Sequence, residues 1–162
     1  ASPFGGSEQA VDLLNDRWLM SVEFGERRHA DAASLEAFLA SFRGQVNTVN
    51  LYHFTRPTPR GTLTSATAAS AAQGASAVVL TGSGTLKAGD MIGISGLLLQ
   101  VAADVTVATS TSVSIVNRLR TAVSGAVTFT QPTAAFRLLS HSGVRYVPGR
   151  AEGVTAEFGE AI

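Results

Sequence analysis

The chain has 162 residues with twelve Lys and Arg against twelve Asp and Glu, and its 45 % hydrophobic content suffices for one folded domain or two small ones. Balanced charge without a basic run removes the electrostatic footprint of a nucleic-acid binder, and the lack of cysteine removes disulfides, thiolate metal sites and cysteine nucleophiles together. No apolar stretch approaches the roughly 18 residues of a membrane span, and the opening Ala1-Ser2-Pro3-Phe4 has neither the basic region nor the hydrophobic core of a secretion signal.

From Trp18 to Phe24 apolar residues alternate, with Trp18, Met20, Val22 and Phe24 on one face, which predicts a strand. The period then changes. Leu35, Phe38, Leu39 and Phe42 fall at i, i+3, i+4 and i+7, predicting a helix over 31–43 that Asp31 caps and Gly44 ends in a left-handed conformation. Val46 to Phe54 is rich in Val, Thr, Tyr and Phe and reads as a second strand, closed by the turn run Arg56-Pro57-Thr58-Pro59-Arg60-Gly61.

After Gly61 the composition shifts. Thr62 to Ala77 is almost all Thr, Ser, Ala, Gly and Gln, a linker or a flat strand poorly tied to a core. Short apolar segments follow at 77–80, 91–94, 97–101, 113–116 and 127–130, with glycine turns between some of them, as in a small barrel or sandwich. Beyond Pro132, three more strands are predicted at 136–139, 145–147 and 154–158. One helix cannot cover both faces of the first sheet, so these late strands are expected to complete it. The expected organisation is a β domain with one helix from 1–61 and 133–162, and an inserted small β-barrel from 62–132.

Chemistry-bearing patterns are sparse. His29, His53 and His141 have no ligand spacing, so no metal site is expected. Glu23, Glu26, Asp31 and Glu36 cluster in the first unit and invite comparison with a glycosidase carboxylate pair, but Asp31 and Glu36 have helix-end roles and Glu23 lies on a polar strand face. Gly82-Ser83-Gly84 lacks the lysine and the helix of a phosphate loop, and no Gly-x-Ser-x-Gly elbow occurs near Ser83, Ser95 or Ser124. Lys87-Ala88-Gly89-Asp90 reads as a tight turn in which Asp90 bonds nearby amides. Trp18, Phe38, Phe42, Tyr52 and Phe54 fall mostly on core faces, which leaves Tyr146, near Arg145 and Arg150, as the better surface contact. No catalytic residue and no cofactor is expected.

Several segments, in order, carry a resemblance. They are Ser2-Pro3-Phe4-x-Gly6-Ser7-x-Gln9, Arg17-Trp18, Leu35-x-Ala37-Phe38-Leu39-Ala40-Ser41-Phe42-Arg43-Gly44-Gln45 and Pro59-Arg60-Gly61. Next come Leu86-Lys87-Ala88-Gly89-Asp90-x-Ile92, Leu99-Gln100-Val101, Asn117-Arg118-Leu119-Arg120 and Phe136-Arg137-Leu138, before a terminal Glu160-Ala161-Ile162. Together they resemble the distal tail proteins of long-tailed bacteriophages. The resemblance implies a mainly β, α+β fold with one helix: a tube-like β-sandwich or barrel domain carrying an inserted barrel of the oligonucleotide-binding type. It also implies a non-enzymatic virion component at the tail tip, in the baseplate region, forming a homohexameric ring that joins the tail tube to the receptor-binding apparatus. The implied partners are further copies of the chain, the tail tube protein and the hub or tip proteins, with the tape measure protein as a further candidate; neither nucleic acid nor membrane insertion is implied.

In such a ring, subunit contacts are expected along 46–54, at Asn50 and His53, or at the terminal strands, with Tyr146 as a further contact residue. The alternative reading is a carbohydrate- or host-receptor-binding tail module, and after it a cell-wall hydrolase.

Overall fold

The computed structural model describes residues 16–161. The Ser2–Gln9 segment of the resemblance and Ile162 lie outside the described residues. In chain order the elements are β1 (Leu19–Phe24), α1 (His29–Ala40), β2 (Thr48–Tyr52), β3 (Ala66–Ala71), β4 (Ala77–Gly82), β5 (Gly84–Leu86), β6 (Met91–Ile94) and β7 (Leu97–Gln100). They continue with β8 (Val105–Val107), β9 (Thr111–Ser114), β10 (Val123–Thr128), β11 (Thr133–His141), β12 (Tyr146–Val147), β13 (Arg150–Ala151) and β14 (Val154–Glu160). With 48 % strand and a single helix, the fold is mainly β in the α+β sense.

The early and late strands form one antiparallel sheet in the order β1-β14-β11-β2. Alternation sets its faces: Met20, Val22 and Phe24 turn inward and are half-buried, while Leu19, Ser21 and Glu23 are exposed. On β14, Val154, Ala156 and Phe158 are buried between them. Helix α1 covers this face with Ala32, Leu35 and Leu39, followed by Phe42 just past its end. Phe38 lies at the margin of the stripe, 40 % exposed, with its ring edge-on to Phe42.

The helix starts two residues before the expected position. Arg28 is its N-cap without a side-chain bond, so Asp31 stands in the first turn, where its charge suits the helix dipole, and does not cap. At the other end Arg43 and Gly44 are both left-handed, at φ 47° and 72°, and reverse the chain toward β2.

Strands within 62–132 form a second sheet, β7-β6-β10-β3-β4-β9, with the ribbon β5-β8 beside it. Its two edges meet. Just past β7 and β9, Val101 and Ile115 form an antiparallel bridge, and Val116 N–H donates to the Gln100 carbonyl at 2.9 Å, so the sheet closes on a core of Leu80, Leu86, Ile92, Leu99, Val113 and Leu119.

Strand β3 corrects the expectation of a poorly tied segment. It lies between β10 and β4, paired on both sides, with Ala68 only 3 % exposed. Its small side chains are what a tightly curled interior strand accommodates, and hydropathy does not signal burial of this kind.

The two cores share β6 and β7. Successive side chains of a strand face opposite ways: Ile92, Ile94 and Leu99 enter the barrel core, whereas Met91 and Leu98 join Phe136, Phe158 and Leu39 in the core under the helix.

Candidate functional site

Among the described residues the edges of the four-stranded sheet are β1 and β2, each with one paired neighbour. The terminal strand β14 runs between β1 and β11, and β11 between β14 and β2, with Thr133–Arg137 of β11 paired to β2 and Phe136–His141 to β14. Within this sheet the edge strands among the described residues are therefore β1 and β2, while β12 pairs with β13 alone.

Asn50 lies in the middle of β2, opposite Ala135 of β11, with its side chain exposed. His53 follows the strand and is half-buried; its Nδ1 is 3.2 Å from the Thr55 hydroxyl. Large apolar side chains flank the strand. Val46 is 71 % exposed and Phe54 47 %, with the Tyr52 and Phe54 rings edge to face at 5.1 Å. On the opposite edge Leu19 is 67 % exposed.

An apolar cleft of about 320 Å³ lies between the start of β1 and the residues after β2. Trp18 and Met20 line one side, His53 and Phe54 the other, and Met91 and Leu98 come from the barrel. The indole is fixed by its Nε1–H, which donates to the Leu98 carbonyl at 2.8 Å. Periodicity placed Trp18 on a core face, and it is half-buried there, but no local pattern shows that two distant edges converge on it.

Tyr146 belongs to a different cluster. Its hydroxyl donates to Glu36 at 2.9 Å, and that hydrogen bond, which favours the protonated phenol, holds the group above its usual range. The ring is edge-on to His29, 5.5 Å between centroids, and His29 Nε2 is 2.9 Å from the carbonyls of both Val147 and Arg150. Both partners are acceptors, so Nε2 carries the proton. Tyr146 and His29 therefore tie the β12–β13 hairpin to α1, and Tyr146 remains 45 % exposed. The structure brings Asn50 and His53 onto one edge and places Tyr146 with the helix.

Several of the later segments that carry the resemblance are physically joined. Buried Asp90, 2 % exposed, accepts the backbone N–H groups of Lys87 at 2.8 Å, Arg60 at 2.9 Å and Gly61 at 3.2 Å, as the turn reading of Asp90 anticipated for its near neighbour and did not for the distant pair. Gly61 is pressed against the Thr85 carbonyl, where a Cβ would overlap backbone atoms. Asn117 serves β7 as a peptide group would: Oδ1 accepts Gln100 N–H at 3.1 Å and Nδ2 donates to the Leu98 carbonyl at 3.0 Å. Two residues on, Leu119 is fully buried in the barrel, and Arg120 pairs with Glu160 of β14.

The early carboxylates are dispersed. Glu26 pairs with Arg150 at 3.3 Å, Glu36 holds Tyr146 and Glu23 faces outward. Among the described residues no three His, Cys, Asp or Glu side chains converge as metal ligands, and no helix is long and apolar enough to cross a membrane. Compared with protein-family models and with curated proteins, the chain gives no match.

Proposed function

We propose that the chain is a structural subunit of the tail tip of a long-tailed bacteriophage, a virion protein that forms a homohexameric ring between the tail tube and the distal tip. The observation that carries this reading is the pair of unlike edge strands, β1 and β2, each paired on one side only among the described residues. A ring needs two different complementary faces on each subunit, because its contacts are heterologous and close by rotation. Edge strands provide such faces through backbone pairing. Exposed Val46 lies just before β2, and exposed Leu19 and Phe54 both line the cleft between β1 and the residues after β2; together they supply apolar area that a contact would cover. The resemblance of the ordered sequence segments to distal tail proteins is in keeping with this reading.

In this arrangement the chain works without turnover. Its partners are neighbouring copies, the tail tube protein on one side of the ring and the hub or tip proteins on the other. The test is native mass over a concentration series, with and without the tail tube protein, followed by negative-stain imaging. A closed ring with a central hole is expected; a strict monomer under both conditions overturns the reading.

A further inference from the structure

A second surface lies on the far side of the loop after β2, around Gly89. The backbone there is left-handed, with φ 90°, and the position lacks a side chain. A Cβ at Gly89 would lie 3.4 Å from Nη1 of Arg56, 3.7 Å from Nη2 of Arg60 and 3.9 Å from Nε2 of Gln100. Nitrogen donors from three side chains thus surround one point that the chain keeps empty, at the base of a cavity of about 400 Å³.

Holding the turn does not require these arginines. Asp90 accepts Lys87 N–H, Asp90 N–H donates to the Lys87 carbonyl, and Gly89 N–H donates to the Val101 carbonyl. Arg56 adds one bond to the Gly89 carbonyl and Arg60 one to the Ala88 carbonyl, which orient both guanidinium groups over the turn. A guanidinium has five N–H donors, so each retains capacity for a ligand while already positioned.

The local charge is unbalanced in the same direction. Arg60 lies 3.5 Å from Asp90, and Lys87 pairs with Asp104 at 2.9 Å. Among the described residues no carboxylate lies within ion-pair distance of Arg56. Three cations against two anions leave one positive charge at the bowl.

We propose that the bowl over Gly89 binds a phosphate group. Arginine forks match oxyanions and bind them bidentately. Three separate donor groups around one point suit the several free oxygens of a phosphate better than the two of a carboxylate. Arg60 is 68 % exposed, so the site admits a phosphate carried on a larger molecule as readily as the free ion. The assignment does not depend on the ring.

The test is a titration of the ¹⁵N-labelled full chain at low ionic strength, where screening is weakest, with inorganic phosphate, poly(glycerol phosphate) and acetate. Saturable amide shifts at Ala88, Gly89 and Gln100 are expected with both phosphate probes, with acetate at least tenfold weaker. Arg56→Gln should weaken phosphate binding at least tenfold without moving the unfolding midpoint, and Arg56→Lys should recover part of the loss. Tighter binding of the polymer than of the free ion assigns the site to a phosphate-bearing chain, and equal binding assigns it to the ion; both support the proposal. No saturable shift with either phosphate probe, acetate binding as tightly, or wild-type affinity in Arg56→Gln overturns it.

Discussion

Arg120 and Glu160, forty residues apart, form an ion pair that joins the loop after β9 to the last strand, and their side chains are only 12 % and 2 % exposed. The second oxygen of Glu160 accepts Trp18 N–H at 3.1 Å, and Arg120 also donates to the Asp16 carbonyl. One carboxylate therefore links the barrel, the terminal strand and the approach to β1.

Removing one member of a buried pair leaves an uncompensated charge, which costs about 3–5 kcal/mol. Arg120→Ala should lower stability by an amount in that range in urea unfolding. Replacing both partners with apolar residues of similar volume, Arg120→Met with Glu160→Leu, should be milder than the single change, although Trp18 N–H then loses its acceptor.

Asp90 holds three backbone N–H groups, one from its own turn at Lys87 and two from the distant Arg60 and Gly61. Each buried donor left without a partner costs about 1–3 kcal/mol, so Asp90→Ala should destabilise by about 3 kcal/mol or more, and Asp90→Asn by less because an amide oxygen still accepts. Gly61→Ala should be comparably damaging, since the added methyl meets backbone and not a movable side chain. The denaturant midpoints of the three variants check this ordering.

For the edge contact, Asn50→Lys with His53→Lys places one charge on β2 and one just after it, on the side that would face a neighbour. The double variant should remain folded and lose the ring in native mass measurement. Tyr146→Phe, which removes only the bond to Glu36, should assemble normally. Unchanged assembly of the double-lysine variant would move the contact away from β2.

Asp104 accepts Ala88 N–H at 2.9 Å and pairs with Lys87, which hold its carboxyl below the ordinary carboxylate range. A depressed folded pKa contributes stability above the unfolded pKa, and the contribution is lost as pH falls through the folded value. The stability gap between wild type and Asp104→Asn should therefore be constant at neutral pH and narrow below about pH 4. Unfolding curves at pH 7, 5, 4 and 3 read this directly.

What the sequence made legible follows from local physics. Alternation located β1, the 3.6-residue period located α1, and short Val, Ile and Leu runs located β4, β6 and β7, because each pattern reports one buried face. Ala66–Ala71 was read as loose because its burial comes from strand pairing on both sides, which small residues permit without advertising. Ala68→Leu tests the point: overpacking there should cost about 1–3 kcal/mol, whereas Thr67→Val on the exposed face should cost little.

The candidate edge was partly legible. Asn50 and His53 were found from a β-rich run, but which strands end up unpaired is a property of the whole sheet. The grouping of Arg56, Arg60 and Gln100 around Gly89 leaves no local pattern for a similar reason. Gln100 is eleven residues from Gly89 in sequence and the arginines about thirty, so only the fold makes them neighbours.

Strands β6 and β7 have a consequence for how this chain can vary. Met91 faces one interior and Ile92 the other, so a single-residue insertion or deletion in the turn before them would exchange the side chains presented to both at once. Elsewhere a loop can change length without disturbing what it connects. Here the register of Met91 and Ile92 serves two interiors together, so a shift of one residue that reached β6 would disturb both cores at once.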